Sequence, residues 1–243
     1  MANISPNQPG NPTPVLENSG KRRIIQVFGF ILLIGLIIFL CAGRLDWPQA
    51  WIFLGGYLLS ILGLLVGRLH SGSASIDLIN ERGRMAENVK SWDKVLISIY
   101  TVALLALFVV TGLDARFRWS VIPVIWQIVG FICLCLAMFL IWWVTSVNRY
   151  LSTMVRIQDD RGQQVVTNGP YRYVRHPMYV GTVLFAPGIP LLLGSWWALI
   201  PAGLIIVIFI IRTAMEDKTL MEELPGYAEY TKQVRYRLIP GIW

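Results

Sequence analysis

Charge is scarce in this chain. Only 14% of its 243 residues are Asp, Glu, Lys or Arg, while 55% are apolar or aromatic. A soluble domain carries about a quarter charged residues, so there is too little charge here to clothe a water-facing globule. Histidine is scarcer still: His70 and His176 are the only two, which leaves little from which to build a zinc or haem site. The three cysteines, Cys41, Cys133 and Cys135, all fall inside apolar stretches. Residues two apart do not share a helix face, so these read as small core residues, with neither a disulfide nor a metal site. The G-x-G-x-x-G dinucleotide fingerprint is also absent, and with it the soluble doubly wound fold that uses it.

What the chain does have is long uncharged runs, at Ile24–Gly43, Trp47–Gly67, Val95–Leu113, Trp119–Asn148 and Met178–Ile211. Each reaches the roughly 18 to 20 residues that a helix needs to cross a bilayer core. The pattern predicts an all-α integral membrane protein with about six transmembrane or membrane-embedded helices. Four of them fall at about 24–42, 48–67, 95–113 and 119–147. The fifth run is too long for one span and is punctuated by Pro187, Pro190, Gly194, Ser195 and Pro201. A break near Gly194-Ser195 would make it a broken helical hairpin.

Residues 1–20, rich in Pro, Asn and Ser, have the composition of a disordered tail. The first run is longer than a signal-peptide core and lacks a convincing cleavage pattern, so Ile24–Ala42 is expected to be a retained helix. Residues 21–147 then form an N-terminal membrane region and residues 148–243 a separate C-terminal region. Gly63 and Gly67, four residues apart, suit close packing of helices within the chain.

Basic residues fix an expected orientation. Of the 21 Lys and Arg, 18 fall in the first tail, the 68–94 segment, the 148–177 loop and the C-terminal segment, leaving Arg44, Arg116 and Arg118 for the other side. Lys and Arg concentrate in cytoplasmic loops, so both termini and both long polar segments are expected in the cytoplasm. The net charge of +7 then reads as an orientation signal beside anionic head groups, and a nucleic-acid partner is not expected. Arg82, Arg84 and Glu87 read as a solvated charged loop, with guarding of a substrate entrance as the alternative.

Two of these segments are dense in polar and aromatic groups. One, Arg156–Gly181, runs into the fifth apolar stretch through His176-Pro177. Proline suits a first helical turn, whose free N–H groups suit an anion. The other holds Arg212 and Glu216, one turn apart on a helix face. Charges at a membrane exit point to function, although an exposed pair with Arg212 snorkelling to head groups is the simpler reading of the spacing. Tyr171, Tyr173, Tyr179, Tyr227 and Tyr230 read first as an interfacial aromatic belt. Together, a carboxylate, several cations, a histidine and tyrosines suit a zwitterionic, ring-bearing ligand.

At these residues the chain resembles the isoprenylcysteine carboxyl methyltransferase family of integral membrane enzymes. The resemblance is carried by Gly169-x-Tyr171-x-x-x-Arg175-His176-Pro177-x-Tyr179-x-Gly181, then Arg212-x-x-x-Glu216, then Gly226-Tyr227-x-x-Tyr230. It extends from about Arg156 to Trp243. It implies S-adenosyl-L-methionine as methyl donor, leaving as S-adenosyl-L-homocysteine, in a cytoplasmic pocket of the C-terminal helices. Carried over by position, Gln163, Gln164, Val165, Val166, Tyr171, His176, Pro177, Met178, Tyr179 and Glu216 would bind the cofactor. Arg212 would be the catalytic and substrate-binding residue, pairing with the acceptor's carboxylate. Family members often have a histidine near Gln163 or Gln164, where this chain has glutamines.

The implied reaction is in-line displacement at a sulfonium methyl. A carboxylate acceptor is already nucleophilic, so alignment and water exclusion would carry the rate. The expected acceptor is lipophilic, a small molecule or a prenylated peptide, reached from the bilayer. Three alternatives stand beside carboxyl methylation: a phospholipid N-methyltransferase, which needs Glu216 or His176 to take a proton; a sterol-reductase-like oxidoreductase; and a non-catalytic membrane scaffold.

Overall fold

The structure, a computed structural model, describes residues 15–70, 73–83 and 88–243. Among them are eight α-helices and no strand: α1 Asn18–Ala42, α2 Pro48–His70, α3 Ser73–Gly83, α4 Ser91–Phe117, α5 Val124–Val147, α6 Pro177–Leu193, α7 Leu199–Glu223 and α8 Tyr227–Gln233. Five of these, α1, α2, α4, α5 and α7, are long and apolar enough to cross a membrane, and α6 is a shorter apolar helix. The chain is an all-helical, multi-pass integral membrane protein. Its outward faces agree: Leu32, Val124 and Ile200 are each more than 65% exposed, an arrangement suited to lipid and costly in water.

Local sequence sets the helix ends. At the end of α1, Gly43 adopts a left-handed φ of 65° and its N–H bonds to the Phe39 carbonyl at 2.9 Å, a conformation in which glycine avoids a Cβ clash. The expected break of the fifth run lies where the prolines and glycines place it. α6 begins on Pro177, carries Pro187 and Pro190 internally, and stops at Gly194, whose φ is 89°. The chain then turns back into α7, completing the hairpin.

The core joins Ile38 of α1, Leu107 and Phe108 of α4, Ile189 of α6 and Ile205 of α7, all nearly inaccessible. α5 and α6 approach closely because both are glycine at the crossing. A Cβ on Gly130 would meet the Leu192 nitrogen at 2.5 Å, and one on Gly188 would meet Leu134 at 3.0 Å. Gly63 packs against the Trp142 ring of the same chain, as expected for an intramolecular contact.

The two ends of the bundle differ. At one, the Asp114 carboxylate accepts bonds from Ser120 N–H, Ser120 Oγ and Ser195 Oγ, tying the α4–α5 and α6–α7 connections together. The α1–α2 connection lies there too, with Gly43 against Arg116. The opposite end gathers residues 148–177, the ends of α4 and α7, and the C-terminal segment. One element there, α3, lies in the 68–94 segment read from sequence only as a polar stretch. Of the expected tail, residues 1–14 lie outside the described residues, and α1 begins at Asn18. Arg84 and Glu87 also lie outside them.

Candidate functional site

At this polar end the chain encloses a cavity of about 450 Å³, within the roughly 300–1,000 Å³ usual for small-molecule sites. Gln163, Gln164, Val165, Val166, Tyr171, His176, Met178, Tyr179, Arg212 and Glu216 line it. Pro177 does not; it is fully buried at the first turn of α6.

Tyr179 is the centre of the aromatic wall. Its ring lies parallel to that of His176 with centroids 5.7 Å apart, and meets Phe209 edge-on at 5.1 Å. Its hydroxyl donates to Oε2 of Glu216. The Arg212 guanidinium sits 5.2 Å from the Tyr179 ring centre, near enough for a cation–π contribution.

Arg212 and Glu216 share a helix face but do not pair with each other. Arg212 Nε donates to Oδ1 of Asp93 at 2.7 Å, and Nη2 to Oδ2 at 3.1 Å and to the Thr153 carbonyl at 2.9 Å. Asp93 is inaccessible and Arg212 nearly so, so the pair is a buried tie rather than a snorkelling surface contact. Arg212 is the residue expected to pair with the acceptor's carboxylate; Asp93 takes its Nε–Nη2 edge, which leaves Nη1 as the guanidinium nitrogen for a ligand.

His176 turns its ring to Asp217. The Asp217 carboxylate, 1% exposed, accepts two bonds from Arg175 at 2.8 Å, one from Arg237 at 2.8 Å and one from Tyr227 at 2.9 Å, with His176 Nε2 at 3.2 Å. Arg175 Nη1 also donates to the carbonyls of Val234 and Arg235. This hub fastens the C-terminal segment across the start of α6. Burial and the Asp217 charge hold the Tyr227 hydroxyl above its ordinary pKa, keeping it a donor.

The loop before α6 is organised from below. Gln158 is 3% exposed; its side chain bonds the Tyr150 carbonyl and its N–H donates to Oε1 of Gln163 at 2.8 Å. Asn148 Nδ2 donates to the Tyr171 hydroxyl at 2.6 Å. Burial pushes the Tyr171 phenol up to about 12, so it stays neutral. Tyr230 donates to the Tyr171 carbonyl at 2.6 Å. Tyr171, Tyr179, Tyr227 and Tyr230 are therefore buried, hydrogen-bonded groups; of the expected aromatic belt only Tyr173 is strongly exposed.

Several groups at the cavity escaped the sequence reading. Asp93 had a signal, being the one acid in the first turn of an apolar helix, and Asp217 stands directly beside Glu216. Gln158, Asn148, Tyr100 and Arg23 gave none, because only the packing of α1, α4 and the 148–177 loop brings them to the site.

Comparison with known proteins points the same way. The profile of the family described as "Phospholipid methyltransferase" matches residues 125–226, a little under half of the chain and the part that forms most of the cavity. A 93-residue stretch is 28% identical to the Protein-S-isoprenylcysteine O-methyltransferase of Schizosaccharomyces pombe, covering 37% of this chain and 39% of that protein. The chain thus spans well under half the length of this relative. Through this C-terminal region, the protein is like the integral membrane methyltransferases of the phospholipid and isoprenylcysteine kind.

Proposed function

We propose that this protein transfers a methyl group from S-adenosyl-L-methionine to a carboxylate on a lipophilic acceptor. The observation that carries the reading is one cavity lined by both a carboxylate–tyrosine pair and a buried arginine, at the start of the apolar helix α6. The residues fit the cofactor. Glu216 offers an anion for its ammonium or ribose, Gln163 and Gln164 offer amide groups, and the rings of Tyr171 and Tyr179 suit an adenine and a sulfonium. When bound, the cofactor supplies an electrophilic methyl on sulfur.

The protein's part is positioning. With the donor bound, the acceptor oxygen would take the methyl group from sulfur as the carbon–sulfur bond broke; the sulfonium and carboxylate charges would cancel, and no proton would be released. Arg212, held by Asp93, presents Nη1 to the acceptor or its carboxylate. The packed Tyr179, Phe209 and Met178 exclude water, which favours the uncharged products. Both termini and this cavity lie on the cytoplasmic side in this reading, following the distribution of basic residues.

N-methylation of a phospholipid amine is the second reading, favoured by the family profile that matches residues 125–226. There Glu216, already bonded to Tyr179, would take the proton an ammonium must lose. A labelled-methyl assay with lipid extract separates the two. A methyl ester releases volatile methanol in mild base, which is the result expected; label that stays in base-stable lipid establishes N-methylation instead.

A further inference from the structure

Among the described residues, three arginines near the cavity have no carboxylate partner. Arg23 of α1 and Arg82 of α3 line it, and Arg68 of α2 lies behind them, its Nη2 donating to the carbonyl of Thr145, near the end of α5, close enough for its charge to act on Arg82. Among the described residues Arg82 bonds through Nε, to the Leu151 carbonyl at 3.2 Å. Four other arginines at this end do have a carboxylate: Arg175 and Arg237 share Asp217, Arg212 holds Asp93, and Arg156 approaches Glu81 and Asp160. Among the described residues no carboxylate pairs with Arg23, Arg68 or Arg82. Burial, together with the charges of Arg68 and Arg23, lowers Arg82 to about 9, so it is strained electrostatically yet cationic at neutral pH.

The cluster is built into the fold. Gly83 lies so close to the start of α1 that a Cβ there would stand 1.8 Å from the Ser19 carbonyl oxygen, so glycine is what lets the two helices touch. Buried Asn80 accepts from the Glu17 N–H at 3.0 Å and donates to the Val15 carbonyl at 3.1 Å, and Arg22 reaches the Gly83 carbonyl. These contacts hold α3, which carries Arg82, against the start of α1, which carries Arg23. Like charges brought together away from water are unfavourable unless an anion joins them.

The source of the cluster separates it from the cofactor's groups. Glu216, Tyr179, Tyr171 and the 163–166 segment come from the C-terminal region, whereas all three arginines come from α1, α2 and α3. Arg23, Arg82, Tyr171 and Glu216 all line the same cavity, so the two sets face one shared space.

We propose that Arg23 and Arg82, backed by Arg68, bind the oxyanion head group of an amphipathic acceptor, a carboxylate or a phosphate, and so select anionic lipids from the bilayer. In calling that ligand the acceptor, the inference rests on the methyl-transfer reading; the anion site itself does not.

The test uses the full chain in nanodiscs of neutral lipid, with S-adenosyl-L-homocysteine present. N-dodecanoylglycine, dodecyl phosphate and uncharged N-dodecanoylglycinamide are titrated against wild type, Arg82→Gln, Arg23→Gln and Arg82→Lys. At least one anionic probe should bind wild type tighter than the amide, and each glutamine variant should lose roughly 10- to 100-fold of that affinity, the worth of a charge-assisted hydrogen bond. Arg82→Lys should recover part of it, while amide and homocysteine-ligand affinities stay unchanged. The tighter anion identifies carboxylate or phosphate as the source. Equal binding of all three amphiphiles to wild type overturns the proposal. So does a parallel fall in S-adenosyl-L-homocysteine affinity, which would assign the arginines to the cofactor. Anion selectivity in a wild type that binds no adenosyl ligand would instead sink the methyl-transfer reading and leave the anion site standing.

Discussion

Replacing Asp93 by asparagine should be among the most damaging single-atom-scale changes in this protein. The Asp93 side chain has no solvent exposure and Arg212 has 6%, and the carboxylate accepts Arg212 Nε at 2.7 Å, Arg212 Nη2 at 3.1 Å and the Val155 N–H at 2.7 Å. Asparagine keeps one acceptor oxygen and turns an NH₂ toward one of these donors, leaving the Arg212 charge uncompensated. Breaking a buried ion pair by removing one partner costs about 3–5 kcal/mol. Arg212→Leu should cost the same, since it strands the Asp93 charge. The double variant Asp93→Leu/Arg212→Leu should lose far less than the sum, about 1–3 kcal/mol, chiefly because Val155 N–H is left without its acceptor. Unfolding of the detergent-purified Asp93→Leu, Arg212→Leu and double-leucine proteins measures the cycle, the Asp93→Leu single variant losing at least as much as Asp93→Asn, and amide exchange at Val155 should quicken in both variants that carry Asp93→Leu. Losses that simply add, to within about 0.5 kcal/mol, would refute the coupling and return Arg212 to the status of a free ligand-binding arginine.

Asp217→Asn should destabilise by about 3–5 kcal/mol, because Arg175, Arg237, Tyr227 and His176 all converge on that carboxylate. Thermal unfolding checks this, and a midpoint equal to wild type would contradict the hub. Tyr179→Phe removes the hydroxyl that donates to Glu216 and keeps the ring stacked on His176. It should weaken S-adenosyl-L-homocysteine binding roughly tenfold with little change in stability, read by calorimetry beside unfolding.

Sequence made the spans legible, because α1, α2, α4 and α5 each hold enough uncharged residues in a row to be seen without a partner, and the Pro and Gly residues near 187–201 mark where the last run folds back. α3 was not legible: Ser73–Gly83 mixes polar and apolar residues, and its place depends on the Gly83–Ser19 contact far away in the chain. The site was half legible for the same reason. Residues close in sequence, such as Tyr171 to Tyr179, announced themselves as a group. Arg212 could not show that it answers Asp93, 119 positions away, and the four-residue spacing to Glu216 suggested a pair that does not form. The arginine cluster was likewise invisible, since its members come from three separate helices.

Calorimetric titration of S-adenosyl-L-homocysteine into the purified, folded protein, beside Glu216→Ala, tests the central claim most directly. Saturable one-site binding that is lost or greatly weakened in Glu216→Ala is the predicted result. No binding to a wild type with a cooperative unfolding transition, or equal binding by the variant, would contradict the assignment of this cavity to the methyl donor.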